Sequence, residues 1–281
     1  MHKKFINVKF SLLEEFFPYF YVVIENYNIE GIEELFDEII VCFQNDNWNE
    51  EVKLELLNSL KEYIPDIKII NEEVIEDKNW NEEIEQNTPI IIINNKIGIA
   101  PQWKIEQLST DIKIIINPKM SFGTGQHSTT KLVCQLLEKN VKSGDFWIDA
   151  GTGTGVLAIL AKKLGASKVF AFDYDEWSVL NARENFELND IEGEYVIEQH
   201  DVFDISLPNC DGIVANMFLN ILDKTVDKFY KALKENKGNL ILSGILKYDK
   251  DYIIERYCNN NFEHIETLEE DEWVAIHLRA Q

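Results

Sequence analysis

A glycine-rich turn at residues 149–155 carries the clearest chemical signal in the sequence. Gly151, Gly153 and Gly155 alternate with threonines, between the apolar runs 146–148 and 156–161. These flanks predict a buried strand and a buried helix, so that backbone N–H groups at the start of the helix can approach a ligand closely. About 20 residues after Gly151, Asp173 follows another strand-like run, where a doubly wound fold places an acid on a ribose diol. The sequence therefore predicts a site for a nucleoside-bearing cofactor.

The spacing of the glycines favours one class of cofactor. The dinucleotide fingerprint is G-x-G-x-x-G, but here the spacing is G-x-G-x-G, and Val156 stands where the third fingerprint glycine would fall. With Asp149 two residues before its first glycine, the turn resembles the S-adenosylmethionine turn of class I methyltransferases. That cofactor has no pyrophosphate, and Asp149 could attract its ammonium group. Two alternatives remain open, a turn that only connects strand to helix and a nicotinamide-dependent dehydrogenase.

The charge balance restricts the partners of the chain. The 281 residues include 50 acids and 27 Lys and Arg, for a net charge of −23. Such a surface repels phosphate backbones, so we expect no sequence-independent binding of nucleic acid. It would attract a basic protein, and residues 1–75, with 16 acids against 6 lysines, are the best candidate for docking one. The alternative is an acidic face that only aids solubility.

Composition also indicates a compartment. No run of about 18 apolar residues is present and the start of the chain lacks the apolar stretch of a signal peptide, which predicts a cytoplasmic protein without a membrane segment. The four cysteines are widely spaced and form no C-x-x-C pair. They are interpreted as reduced thiols, with no metal site expected.

The pattern of elements predicts two domains. In residues 1–75 the order strand–helix–strand–strand–helix–strand is typical of a small ferredoxin-like α+β domain. Residues 76–118 form a linker region with strand-like runs. From residue 119 to 281, strands and helices alternate and two strands close the chain as a hairpin. This pattern predicts a Rossmann-like α/β domain with a seven-stranded, mostly parallel sheet.

Two strand ends supply further candidates. Asp201 follows the strand-like run 195–198, where it could meet the amino group of an adenine; capping or solvent contact is the alternative. Asn216 ends the predicted fourth strand, whose carboxyl end faces the ligand crevice. An amide there can accept a hydrogen bond from an amine. The prolines that often follow this position in methyltransferases of planar nitrogens are absent, which favours an aliphatic amine, although Asn216 could instead cap the next helix.

A loop before the first helix of the large domain could close over the ligand. Residues 121–130 contain two glycines, three threonines and a histidine. Phe122 could cover the cofactor or the substrate, and threonine hydroxyls could reach the cofactor carboxylate. His127 is interpreted as orienting the loop rather than as a base.

Together these runs resemble the PrmA family, bacterial methyltransferases of large-subunit ribosomal protein eleven. The matching runs are NPKMSFGTGQHSTT (117–130), DAGTGTG (149–155), DYD (173–175), VAN (214–216), LSGIL (242–246) and EWVA (272–275), with EDKNW (76–80) and APQW (100–103) upstream. The resemblance covers about residues 65–280 and is most specific at the Phe-Gly-Thr-Gly-x-His loop. The first 65 or so residues match only in their order of elements.

The resemblance implies the fold, the cofactor and the site. It implies a class I fold that binds S-adenosylmethionine through Thr130, Gly151, Asp173 and Asn216. With the candidates found from the residues themselves, the predicted cofactor-binding residues are Thr130, Asp149, Gly151, Gly153, Gly155, Asp173, Asp201 and Asn216, and the predicted catalytic residues are Asn216 and Phe122. One departure is Thr152, where many members have Cys; its side chain is expected to point away from the turn.

The resemblance also implies a substrate. It implies that the ferredoxin-like domain docks the ribosomal protein, and that its α-amino and lysine ε-amino groups are methylated repeatedly by a monomer that needs no metal. Three rivals stay open: a lysine methyltransferase of another protein, a nicotinamide-dependent oxidoreductase, and a cofactor-sensing protein without catalysis. Cofactor titration and a turnover assay separate them.

Overall fold

The computed structural model describes residues 4–24, 26–35, 37–76, 88–117 and 123–281. The chain divides into two compact units, residues 1–86 and 87–281. The first contains strands β1 (Lys4–Ser11), β2 (Gly31–Leu35), β3 (Glu38–Gln44) and β4 (Lys68–Glu76), and helices α1 (Phe17–Ile24) and α2 (Glu50–Lys61). The sheet order β2-β3-β1-β4, with every neighbouring pair antiparallel, confirms the ferredoxin-like prediction.

The first unit has its own core and clear element boundaries. Alternate residues of β1 and β3, among them Val8 and Ile39, are buried with Phe20 of α1 and Leu56 of α2. Pro18 lies in the first turn of α1, where its missing N–H removes no helical hydrogen bond. The Asn49 side chain caps α2 by accepting from the backbone N–H groups of residues 51 and 52, both at 3.0 Å.

The second unit is built on the predicted seven-stranded sheet. Its strands are β8 (Phe146–Ala150), β9 (Lys168–Asp173), β10 (Glu194–Gln199), β11 (Gly212–Asn216), β12 (Asn239–Leu246), β13 (Phe262–Glu270) and β14 (Trp273–Ala280). The order is β10-β9-β8-β11-β12-β14-β13. The first five strands in that order are parallel, and β14 is antiparallel to both β12 and β13. This arrangement confirms the predicted fold class.

Helices cover both faces of this sheet. They are α3 (Ser128–Asn140), α4 (Val156–Lys163), α5 (Glu176–Leu188), α6 (Leu219–Leu233) and α7 (Lys250–Cys258). One core cluster includes α3, α4 and α5, and a second includes α6 and α7. Strand order reverses at β8, whose neighbours β9 and β11 lie on opposite sides. A ligand crevice is expected outside the carboxyl ends of the strands at such a reversal.

A three-stranded sheet precedes the first of these helices. It consists of β5 (Ile91–Ile93), β6 (Ile97–Ala100) and β7 (Ile112–Ile115). Their buried isoleucines, Ile93, Ile97, Ile99 and Ile114, belong to the same core cluster as α3 and α4. Residues 88–117 thus fold as part of the second unit, whereas the domain roles assigned to 1–75, 76–118 and 119–281 stay predictions. None of the helices in the described ranges is long and apolar enough to cross a membrane.

Candidate functional site

A crevice of about 480 Å³ opens at the carboxyl ends of β8, β9 and β11. The glycine turn after β8 lines it with Gly151, Thr152 and Gly153. Further lining comes from the start of α3 and from residues 216–218 at the end of β11 and just after it. The position matches the switch point of the sheet, so the fold brings together segments that are about 90 residues apart in sequence.

The glycine turn adopts a conformation that side chains disfavour. The φ angles of Gly151, Gly153 and Gly155 are 75°, 54° and 83°, all in the left-handed region that favours glycine. A Cβ at Gly155 would lie 3.2 Å from the Ala182 side chain, so this glycine lets α4 and α5 pack closely. Gly151 and Gly153 line the crevice, but Gly155 is not part of its wall among the described residues.

Asp173 ends β9 and lines the crevice. Its Oδ2 accepts a hydrogen bond of 2.8 Å from the Gly153 N–H, and its Oδ1 accepts one of 3.1 Å from the Asp175 N–H. These bonds fix the carboxylate at the edge of the turn. Each oxygen retains accepting capacity for a hydroxyl donor, since a carboxylate offers about four lone-pair sites. The ribose-binding role predicted for Asp173 is compatible with this geometry.

Asp149 lies beneath the turn and is 1% exposed. Its Oδ2 accepts from the Thr152 hydroxyl at 2.6 Å and from the Ala158 N–H at 3.1 Å, while Oδ1 has no partner within the described ranges. Burial raises the pKa of Asp149 from 3.8 to about 7, against the lowering effect of these two bonds. Asp149 is outside the described crevice wall, and the Thr152 hydroxyl turns back toward it.

Thr130 presents a buried hydroxyl that the described residues leave without a partner. The residue is 1% exposed, lines the crevice, and its Oγ1 makes no hydrogen bond to the described part of the chain. An unpartnered buried hydroxyl costs free energy unless a ligand completes it. This atom therefore fits a polar ligand group, such as a carboxylate, at the start of α3.

Asn216 lines the crevice beside the start of α3, at the end of β11. Its Nδ2 donates to the Thr129 Oγ1 at 3.2 Å. The next two residues, Met217 and Phe218, also line the crevice, and Phe218 is 73% exposed at its mouth. Gly244, with φ of 82°, closely approaches the Met217 backbone, so that a Cβ would lie 2.4 Å from the Met217 carbonyl oxygen.

Asp201 lies close to the crevice without being part of its described wall. His200 and Val202 line the crevice at this strand end. The Asp201 Oδ1 accepts from the Phe203 N–H at 2.8 Å, in the turn that follows β10. His200, which sequence reasoning did not single out, is held by Glu198 at 2.9 Å. Its adjacency to the predicted residue was the only signal available.

The loop before α3 is described from Gly123 onward, so Phe122 and the four residues before it lie outside the described residues. The Gly123 carbonyl accepts from the Thr154 hydroxyl at 2.7 Å, which ties the loop to the glycine turn. His127 caps α3 and lines the crevice with Trp273, their ring centroids 4.9 Å apart. In the described ranges, no group of three or more His, Cys, Asp or Glu side chains could hold a metal ion.

Comparison with known proteins identifies similar chains. The family model described as ribosomal protein L11 methyltransferase (PrmA) matches residues 22–281. The ribosomal protein L11 methyltransferase of Halalkalibacterium halodurans is 37% identical over 231 residues, 81% of this chain and 73% of the relative. That of Chlorobaculum parvum is 30% identical over 276 residues, 96% of this chain and 94% of the relative.

A solved structure shares the fold. The crystal structure of a ribosomal protein L11 methylase from Lactobacillus delbrueckii subsp. bulgaricus aligns with a TM-score of 0.63 at 29% identity. The alignment covers 68% of this chain and 99% of that chain.

Proposed function

The chain belongs to the ribosomal protein L11 methyltransferase family (PrmA), and from this premise we propose that it methylates amino groups of ribosomal protein L11. It is a methyltransferase that depends on S-adenosylmethionine. The cofactor supplies a methyl group already activated by a sulfonium. The single observation that supports the proposal in this chain is that the Thr130 hydroxyl, without a partner among the described residues, and the Asn216 amide line the same crevice.

We assign the cofactor to the crevice residues by their donors and acceptors. The Thr130 hydroxyl would donate to the cofactor carboxylate, and Asp173 would accept from the ribose hydroxyls. The backbone of Gly151 and Gly153 would lie against the cofactor, because neither carries a side chain that would fill the crevice. Burial raises the pKa of Asp149 to about 7, so this residue would attract the cofactor ammonium from below the turn only in its ionised form.

Gly155, Asp201 and Phe122 complete the proposed set. Gly155 would act by packing α4 against α5. Asp201 stays a proposed adenine contact although its Oδ1 is engaged with the Phe203 N–H. Phe122 stays a proposed catalytic residue on the strength of the sequence motif.

Asn216 would align the amine that receives the methyl group. A lysine amine has a pKa near 10.4 and is mostly protonated at pH 7, yet only the neutral amine has a lone pair to donate. A crevice with apolar walls disfavours the charged form, so it promotes loss of the proton before transfer. The amide oxygen of Asn216 can then accept from an amine N–H and direct the lone pair inward. No described residue needs to act as a strong base.

The N-terminal unit is proposed to recruit the substrate. Residues 1–75 combine 16 acids with 6 lysines, which complements a basic ribosomal protein. The same charge supports the absence of direct nucleic-acid binding. We further propose a monomer that works in the cytoplasm, where its substrate is made.

Mass spectrometry of purified L11 tests the function. The protein is incubated with L11 and S-adenosylmethionine, and we expect increments of one methyl group on α-amino and lysine ε-amino groups. Asn216→Ala should slow these increments, while Asn220→Ala on the same helix–loop segment, outside the described crevice wall, should not. Labelled cofactor with whole ribosomal protein distinguishes L11 from another acceptor. Tight binding of NAD(H) without binding of S-adenosylhomocysteine would contradict the proposal.

A further inference from the structure

Three polar side chains form a continuous hydrogen-bonded chain along one wall of the crevice. The His127 Nδ1 lies 2.8 Å from the Thr129 Oγ1, and that oxygen lies 3.2 Å from the Asn216 Nδ2. Thr129 is 1% exposed and lines the crevice with both partners. The three residues come from the start of α3 and the end of β11, which are 87 residues apart.

The hydrogen positions in this chain follow from one backbone bond. The Thr129 N–H donates to the His127 Nδ1 at 3.3 Å. Because a backbone N–H can only donate, Nδ1 must be the acceptor, and a neutral ring then carries its proton on Nε2. The Thr129 hydroxyl then donates its single proton to the same Nδ1 at 2.8 Å, sharing the lone pair with the longer bond from the backbone N–H. The oxygen of that hydroxyl is therefore left as an acceptor for the Asn216 Nδ2.

This order of donors fixes the orientation of the Asn216 amide. With Nδ2 directed to Thr129, the carbonyl Oδ1 is the acceptor that remains for a ligand in the crevice. If the amide rotated by half a turn, its NH₂ group would face an amine that also donates. Such a pairing of donors gives no hydrogen bond and loses the alignment of the lone pair.

We propose that His127 and Thr129 are positioning residues that act through Asn216, setting its carbonyl oxygen toward the amine that is methylated. The proposal rests on the function proposed above and deepens it. His127 is itself held from two sides, by its capping bond at the start of α3 and by the edge-on ring of Trp273. In this proposal the loop residues His127 and Thr129 orient the Asn216 amide through hydrogen bonds, and neither acts as a base.

Single-turnover kinetics with saturating S-adenosylmethionine and L11 test the proposal. Thr129→Val removes the hydroxyl with little change of shape, and we expect the transfer rate to fall about tenfold, the value of one hydrogen bond. The Kd for S-adenosylhomocysteine should stay within about twofold, since Asn216 keeps its place in the wall. Thr129→Ser, which keeps a hydroxyl, should restore most of the rate.

The histidine is tested by a matched pair. His127→Ala removes the acceptor and should slow transfer as Thr129→Val does. Asn at position 127 is a favourable N-cap residue and offers an oxygen that accepts from both Thr129 groups, so His127→Asn should be faster than His127→Ala. Thr225→Val, a buried threonine of α6 whose hydroxyl donates to the Leu222 carbonyl at 3.0 Å, is the control for a lost buried hydroxyl and should leave the rate unchanged.

A double-mutant cycle and a nitrogen NMR spectrum test whether His127 and Thr129 act through Asn216. In an Asn216→Ala background, Thr129→Val should cause no further loss, because its effect passes through the amide. An equal further loss, or a wild-type rate for Thr129→Val alone, would overturn the proposal. The nitrogen NMR spectrum of His127 should show an unprotonated Nδ1, and a proton on that atom would overturn it as well. Because the spectrum needs no turnover, an inactive wild type would refute the proposed function separately.

Discussion

Replacing Asp149 by Asn should change how the stability of the protein depends on pH. Burial raises the pKa of Asp149 from 3.8 to about 7, so between these values the folded chain holds a proton that the unfolded chain has released. The free energy of unfolding falls as pH rises wherever the folded state binds more protons. Asp149 therefore stabilises the fold least above about pH 7, whereas the amide of the Asp149→Asn variant would not titrate at all.

The size of the effect follows from the change in pKa. A rise from 3.8 to about 7 corresponds to about 4 kcal/mol once the carboxyl is fully ionised. Part of this loss has already occurred at pH 5, and the rest is nearly complete at pH 8. Between pH 5 and pH 8 the wild type should therefore lose about 2 to 3 kcal/mol of stability relative to Asp149→Asn. The amide keeps the bonds from Thr152 and Ala158, but its NH₂ replaces an oxygen without a described partner. That costs about 1–3 kcal/mol at every pH, which is less than the roughly 4 kcal/mol that ionisation costs the wild type at pH 8, so the variant should be the more stable form at pH 8. At pH 5 that advantage should be smaller by about 2 to 3 kcal/mol.

Urea unfolding of the two proteins at pH 5, 6, 7 and 8 measures this difference directly. Asp251→Asn, an exposed carboxyl on α7, is the control for a change of net charge. Its stability should follow the wild-type curve at each pH. Parallel curves for the wild type and Asp149→Asn would refute the argument that a buried, incompletely bonded carboxyl titrates near neutrality.

Two further changes address the crevice. Thr130→Val should raise the Kd for S-adenosylhomocysteine about tenfold without lowering the melting temperature, because the folded protein loses no described hydrogen bond there. Calorimetric titration measures the Kd and thermal unfolding measures the melting temperature. A lowered melting temperature with an unchanged Kd would contradict the assignment of Thr130 to the cofactor. Gly244→Ala should destabilise the protein by more than Gly144→Ala does. Both glycines have positive φ, but of the two only Gly244 would place a Cβ against a backbone atom, the Met217 carbonyl oxygen, at 2.4 Å. Backbone strain of this kind costs about 1–3 kcal/mol. If urea unfolding gave equal losses of stability for the two variants, the positive φ alone, and not the contact with Met217, would account for the cost.

The fold was predictable because its signals are local and repeated. Apolar runs such as 146–148 and 168–172 are short enough for strands and are separated by helical patterns. Boundaries agreed closely, for example at β9, where the strand-like run predicted up to Asp173 is observed as Lys168–Asp173. The membership of β5–β7 in the second core was not predictable in this way. It depends on Ile97 and Ile114 meeting helices that begin later in the sequence, and periodicity says nothing about which elements share a core.

The candidate site shows the same division between local and distant information. Gly151, Asp173 and Asn216 could be found because turn chemistry and strand ends are visible in sequence, and the fold places all three around one crevice. The protonation and hydrogen bonding of side chains in this region could not be predicted from the sequence. Asp149 was predicted as a negative charge for an ammonium, yet its pKa near 7 arises from burial by surrounding elements.

The sequence did not single out Thr129 among the threonines of the loop, because its proposed role depends on the Asn216 amide, which lies 3.2 Å away only in the folded chain. A spacing pattern can therefore nominate residues that line a crevice, because backbone geometry dictates where they stand. It cannot assign protons, since each proton here is placed by a neighbour that only the folded chain brings into contact. For that reason, sequence reasoning interprets His127 only as orienting the loop, and it does not separate Thr129 from the other threonines of the loop.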